Sequence, residues 1–266
     1  MQEYKGVADT LYIPLTARTY VSKRYPEYFY DEKALELENH IPSDSIEKGS
    51  SQYSMLASVA RYYNFDKVVY KFIEKNNICN IINLGCGLET MAYRLNNDSA
   101  TFYEVDFHHV IEERSKVLDT LDNEVLIGAD ILKDDWISEI KDRDIPSLFV
   151  VSGVFQYFHE EEVLGLINQI KNRFGDCEML FDAMSKSGLT YANNYVRKTG
   201  NKSAMMYFSV DDGNDFARIS GTKLIEELKF FKDARVMLKN KLNLYSRIAM
   251  YMVDKNQGRI LHIKIK

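Results

Sequence analysis

Three short stretches carry residues whose types and spacing suit recognition of a nucleoside. The first is Ile81-Ile-Asn-Leu-Gly85-Cys-Gly87-Leu-Glu-Thr90, an apolar run that enters two glycines one residue apart. Such glycines let the chain turn sharply and approach a ligand without Cβ atoms in the way. The same pair also serves strand–helix turns that hold nothing. The second is Glu104-Val-Asp106, closing the next apolar run, where a carboxylate can accept both hydroxyls of a ribose. The third is Gly128-Ala-Asp130, where a side-chain acceptor can meet an adenine amino group. Either aspartate alone would serve equally as a helix cap. A dinucleotide fingerprint needs a third glycine beside the pyrophosphate, and that position is Thr90. The set therefore describes a nucleoside site with no phosphate clamp.

The elements that must hold these residues follow from hydrophobic periodicity. Short apolar runs predict strands over 78–84, 101–105, 124–127, 147–152 and 178–182, alternating with helices over 88–95, 108–121, 134–141 and 160–174. That alternation implies right-handed βαβ units and a parallel sheet covered on both faces. Residues 1–75 read as a helical cap, with Asp31 as an N-cap and Met55, Leu56, Val59, Tyr62, Val69 and Phe72 recurring near helical spacing. In the tail, 188–213 reads as loop-like or mixed and 222–229 as helical. Two late strands, 236–238 and 260–265, flank a helix near 246–253. The expectation is an α/β fold with a seven-stranded, mostly parallel sheet and an N-terminal helical cap. The cap over 1–75 and the core over 76–266 form one structural domain.

Composition narrows the function. Hydrophobic residues make up 45% and charged residues 27%, enough for an ordinary buried core. A net charge of −5 with Lys and Arg spread along the chain argues against a nucleic-acid face. Cys79, Cys86 and Cys177 form neither a disulfide framework nor a metal knuckle and read as reduced thiols of a cytoplasmic protein. No metal site and no membrane partner are expected: the stretch 145–158, the most apolar, is broken by Ser147, Ser152 and Gln156. No secretory leader is read at the start of the sequence.

Longer segments carry a family resemblance. Gly85-Cys-Gly-Leu-Glu-Thr-Met-Ala-Tyr-Arg-Leu95 resembles the GxGLDTRAYRL loop of the leucine carboxyl methyltransferase family, which includes the bacterial tetracenomycin-type polyketide O-methyltransferases. Phe102-Tyr-Glu-Val-Asp106 is similar to that family's second strand, Gly153-Val-Phe-Gln-Tyr157 to its EGVLMY segment and Phe181-Asp-Ala-Met-Ser185 to its fifth strand. Thr10 to Arg18 is similar to its N-terminal helix, and Ala60-Arg61 to Phe65-Asp66 to its ARTRYFDD segment. The resemblance implies a class I S-adenosylmethionine-dependent methyltransferase fold, with S-adenosylmethionine as cofactor. It implies that Arg61 pairs with the methionyl carboxylate, Gly85 and Gly87 line the cofactor, Asp106 holds the ribose and Asp130 sits by the adenine. Arg18 is a candidate to meet cofactor or substrate from the cap. Where many relatives carry Glu beside the cofactor's amino group, this chain has Ser152, a neutral acceptor in place of a charged one.

Methyl transfer from a sulfonium asks the protein mainly to align and desolvate the nucleophile. A carboxylate acceptor needs no base, whereas a hydroxyl can need one. Tyr157 and His159 are the candidate catalytic groups, with His108 a weaker third. Tyr191, Tyr195, Met205, Met206 and Tyr207 cluster in an insertion near 186–220 and are expected to wall a pocket for a small, partly apolar acceptor methylated on a hydroxyl or carboxylate. Three other readings stay open: a catalytically weak S-adenosylmethionine-binding or interaction protein, a protein carboxyl methyltransferase and, against the missing third glycine, an NAD-dependent dehydrogenase.

Overall fold

The computed structural model describes residues 5–199 and 205–266, with side chains for all of these except residues 5–10, 195–199 and 256. The chain opens with helices α1 (Lys5–Arg24), α2 (Glu32–Glu36), α3 (Ser45–Gly49) and α4 (Gln52–Lys75). Asp31 is the cap expected of it: its side chain accepts the Ala34 N–H at 2.9 Å and starts α2. A Ser51–Ser54 capping box starts α4, whose Met55, Leu56, Val59, Val69 and Phe72 form a buried stripe.

The strands follow as β1 (Cys79–Leu84), β2 (Ala100–Asp106), β3 (Glu124–Gly128), β4 (Ser147–Val151), β5 (Cys177–Met184), β6 (Lys223–Leu228) and β7 (Gly258–Lys264). They form one sheet in the order β3-β2-β1-β4-β5-β7-β6, parallel except for β7, which runs antiparallel to both its neighbours. Helices α5 (Met91–Leu95), α6 (His108–Val117) and α7 (Glu160–Arg173) make the early crossovers. Side-chain alternation along the strands divides the core in two. Ile81, Leu148, Leu180 and Ile260 pack with the cap helix α4. Ile82, Phe149, Phe181 and Leu261 face the opposite layer, with Ile167 and Ile170 of α7. The register sets Leu84 beside Val105 and Asp106 beside Gly128, so the loops after β1, β2 and β3 leave the sheet at one level.

The last third of the chain departs from the periodicity reading. Residues 188–213, read as loop-like or mixed, are mixed: α8 (Lys186–Thr199) is helical, 205–212 are irregular and α9 (Gly213–Ser220) follows. The 222–229 stretch, helical by composition, is strand β6, because pairing with β7 overrides the local preference of Lys-Leu-Ile-Glu-Glu-Leu. Its exposed Lys223, Glu226 and Glu227 suit a sheet edge that must not recruit further strands. The expected strand at 236–238 is instead the end of α10 (Lys232–Met237), which buries Ala234 and Leu238 one turn apart. α11 (Leu244–Asn256) spans the predicted late helix.

A buried ionic cluster fixes the cap to the sheet. Arg94 of α5 donates in bidentate fashion to Asp66 of α4 at 2.8 Å, and to Glu89 at 2.8 Å and Asp31 at 3.1 Å. Arg18 of α1 reaches the same Asp31 oxygen at 2.8 Å and the Leu88 carbonyl at 2.6 Å. Burial alone raises the Asp31 carboxyl, but the two arginines and the Thr90 hydroxyl outweigh it and hold it below the usual range. Replacing Arg94 by Met leaves three buried carboxylates short of a partner. This substitution is expected to cost about 3–5 kcal/mol of unfolding free energy, measured by denaturant titration at pH 7. A loss under about 1 kcal/mol would show that water or rearrangement replaces the cluster.

Candidate active site

A cavity of about 350 Å³ opens above the C-terminal ends of β1, β2 and β4, roofed by Leu11, Ile13 and Pro14 of α1. Its floor is the glycine turn. Gly85 has φ +73°, and a Cβ there would come within 2.5 Å of Val154. Gly87 has φ +50° and donates its N–H to Asp106 Oδ2 at 2.8 Å. The other Asp106 oxygen accepts the Phe107 N–H at 2.8 Å. Burial pushes the Asp106 carboxyl upward while these two N–H groups act in the opposite sense. Each oxygen keeps a second lone pair for a ligand hydroxyl.

Across the cavity stand Arg61 of α4 and the segment after β4. Gly153, at φ +70°, lets the Arg61 guanidinium lie against the backbone, since a Cβ would sit 2.9 Å from one of its nitrogens. Asp182 at the end of β5 joins the two: Oδ1 accepts the Gly153 N–H at 2.6 Å, and Oδ2 lies 3.4 Å from Arg61. Burial works against the Arg61 charge, yet the Asp182 carboxylate raises its proton affinity overall. Arg61 Nε, Ser58 Oγ and Ser152 Oγ are buried with no hydrogen-bond partner among the described residues. All three residues line the cavity, and buried polar atoms left in this state suit a polar ligand.

A second cavity of about 380 Å³ adjoins the first and shares Ser58, Arg61 and Gln156 with it. Its remaining wall is largely apolar, with Tyr53, Met184, Met206, Phe230, Phe231 and Val253, and Asp182 is its one carboxylate among the described residues.

The structure thus brings together Arg61, Gly85, Gly87, Asp106, Ser152 and Tyr157 around the first cavity, and Tyr191 and Met206 around the second. Other expected site residues fall elsewhere. Asp130 is outside both walls and closes the turn after β3 by accepting the Leu132 N–H at 3.1 Å. Arg18 touches the first cavity, but its terminal nitrogens are spent on Asp31, Thr90 and Leu88, so it braces the loop rather than presenting a free fork. His159 is exposed at the start of α7, its ring lies 4.5 Å from that of Tyr207, and neither residue lines either cavity. His108 is exposed at the start of α6. Met205 lines neither cavity, and the Tyr195 side chain lies outside the described residues. Asp182, Gln156 and Ser58 were not singled out from sequence; only the position of Asp182 at the end of an apolar strand pointed to it.

The strand order with its single reversed β7, the glycine turn after β1 and the acidic residue ending β2 define a class I S-adenosylmethionine-dependent methyltransferase. The sequence model of the leucine carboxyl methyltransferase family matches residues 10–171, and the chain belongs to that family. The tetracenomycin polyketide synthesis O-methyltransferase of Streptomyces glaucescens is 26% identical over 198 residues, 73% of each chain. An S-adenosyl-L-methionine-dependent methyltransferase of Gibberella zeae is 26% identical over 67% of this chain and 66% of that one. Among solved structures, a DUF574 family protein of Streptomyces avermitilis superposes with a TM-score of 0.61 at 13% identity, covering 94% of this chain and 96% of that one. A magnesium protoporphyrin IX methyltransferase of Synechocystis, with bound S-adenosylhomocysteine, superposes with a TM-score of 0.50 at 13% identity, covering 88% and 99%. S-adenosylmethionine is the cofactor of the class, and the paired glycines, Asp106 and the unpartnered polar atoms of the first cavity fit it.

Beneath the glycine turn lies a second carboxylate, two residues before Asp106 on β2. Glu104 is fully buried; Oε1 accepts from Asn83 at 2.8 Å and Oε2 has no partner among the described residues. Burial pushes its carboxyl up to about 7, against the opposing pull of Arg114. The folded protein binds this proton more tightly than the unfolded chain, whose carboxyl titrates near 4.5. The resulting stability is full below that value and is lost as pH rises towards 7. Glu104→Gln, which mimics the protonated group, is expected to match the wild type at pH 5. At pH 8 it should exceed the wild type by on the order of 1–3 kcal/mol, read from denaturant melts. A difference independent of pH would show that Glu104 is not the titrating group.

Proposed function

We propose that the protein methylates an oxygen, hydroxyl or carboxylate, of a small and partly apolar acceptor held in the second cavity. The observation that carries this reading is the shared wall of Ser58, Arg61 and Gln156, which sets an apolar chamber directly against the cofactor chamber. A chamber of about 380 Å³ is of the size of small-molecule sites, and Phe230, Phe231 and Met206 offer apolar contact of adaptable shape.

S-adenosylmethionine supplies an electrophilic methyl group on a sulfonium with a good leaving group. The protein's own residues divide the remaining work. Asp106 accepts the ribose hydroxyls while its bond to Gly87 keeps the turn in shape. Arg61, braced by Asp182, pairs with the methionyl carboxylate, and Ser152 Oγ accepts from the amino group. The apolar wall excludes water and desolvates the acceptor oxygen. Tyr157, on the first cavity, and Gln156, on the shared wall, would orient that oxygen. With a carboxylate acceptor no base is required.

Met206→Ala enlarges only the second chamber. It is expected to raise the KM of a methylated acceptor about tenfold, the scale of one to two lost methylene contacts, while leaving S-adenosylmethionine affinity by calorimetry unchanged. Met205→Ala, outside the chamber, should do neither. A panel of phenols and small carboxylic acids, with S-adenosylhomocysteine release as readout, supplies the acceptor. Methylation of peptide C-termini with none on that panel would contradict the reading.

A further inference from the structure

Outside the two cavities, the face formed by α10 and α11 is anomalous. Residues 229–257 carry seven Lys and Arg against two Asp, in a chain whose net charge is −5. The two acids are already engaged, Asp233 with Lys67 and Asp254 with Arg235 and the Phe231 N–H. Among these cations stands a dense group of exposed apolar side chains: Val236 and Leu244 at 73%, Tyr245 at 60%, Ile248 at 56% and Tyr251 at 50%. On α11, Leu244, Ile248, Tyr251 and Met252 follow helical spacing along the outward face, while Ser246 and Met250 face the core. A surface helix apolar on both faces leaves one of them without a partner. Between α10 and α11 the face is indented by a groove of about 560 Å³ lined by Val236, Leu242, Ile248 and Tyr251.

We propose that this face docks on an anionic lipid surface. A second copy meeting it face to face would set like charges against each other. The state of the cations also separates a lipid surface from an acidic protein. Protein interfaces draw on the fixed fork of arginine, but here Arg235 is held by Asp254 and Arg247 by the Leu242 and Lys239 carbonyls. The groove's own lysines, Lys232 and Lys239, are exposed and form no salt bridge among the described residues, flexible ammonium groups suited to a diffuse field of headgroups. Apolar and tyrosine side chains ringed by lysine are the composition of an element that lies in a membrane interface. Among the described residues no helix is long and apolar enough to cross a membrane, so the contact is peripheral. The inner side of α11 supplies Val253 to the second chamber, and Tyr245 packs edge-on against Tyr53 of its wall, with centroids 6.0 Å apart. Docking would therefore bring an apolar acceptor dissolved in lipid beside its chamber. That consequence rests on the acceptor reading above; docking itself does not.

Co-sedimentation of the full chain with vesicles tests this. Vesicles of phosphatidylcholine and phosphatidylglycerol should bind the wild type at low salt, with release at high salt, and phosphatidylcholine alone at least about tenfold more weakly. Two exposed-site variants, Leu244→Asp with Ile248→Asp and Lys232→Glu with Lys239→Glu, should each lose about tenfold or more of that binding. Both should keep the wild-type melting temperature and S-adenosylmethionine affinity, which shows that the fold and cofactor site are intact. Absence of binding to anionic vesicles, or equal binding by both variants, overturns the proposal. A wild-type dimer that Leu244→Asp with Ile248→Asp dissociates, without vesicle binding, assigns the face to a second copy and also overturns it. So does binding of a synthetic Glu/Leu amphipathic helix in place of vesicles.

Discussion

Arg18 and Arg94 converge on one carboxylate, that of Asp31, which has no exposed surface. Asp31 comes from the cap, Arg94 from the helix that follows the glycine turn, and Thr90 of the turn itself donates to the same Asp31 oxygen at 2.7 Å. Charges this deep are tolerated only when every partner is in place, so the cluster admits essentially one placement of the cap over the loop. Arg114 extends the same logic from below, holding the Gly87 carbonyl at 3.2 Å, the Glu89 carbonyl at 2.6 Å and Glu124 at 2.5 Å. The glycine turn is gripped from both sides, and its two left-handed glycines keep the shape that the cavity requires.

From that fixed turn the two chambers follow. The cap brings α4 across the strand ends, which delivers Arg61 and Ser58 from one helix to the boundary between them. Asp182, the end of the strand beside β4, then fixes both Arg61 and the Gly153 backbone. Polar groups gather on the cofactor side and along the shared wall, while the far side is built from Phe230, Phe231 and Val253, contributed by the late part of the chain.

The centre of the sheet was legible because β1, β4 and β5 are buried on both faces and read as largely apolar runs between turn residues. The glycine turn and Asp106 were legible because their spacing is local. The tail was not: β6 is a strand only through its pairing with β7 at the sheet edge, and α10 only through what Ala234 and Leu238 bury. Asp31 and Asp66 could not be matched to Arg94 from sequence, since the partners lie 63 and 28 residues apart. The candidate residues that line neither cavity share one trait. Asp130, His159 and Tyr207 stand near strand ends or in loops of suitable composition, but periodicity does not say which way such a side chain turns.

The most direct measurement is a crystal structure of the protein with S-adenosylhomocysteine and a turnover-competent acceptor. The nucleoside is expected against Gly85, Gly87 and Asp106, the carboxylate at Arg61, and the sulfur facing the Ser58–Gln156 wall with the acceptor oxygen beyond it in the second chamber. A cofactor bound with its sulfur turned away from that wall, or an acceptor lodged outside the second chamber, would contradict it.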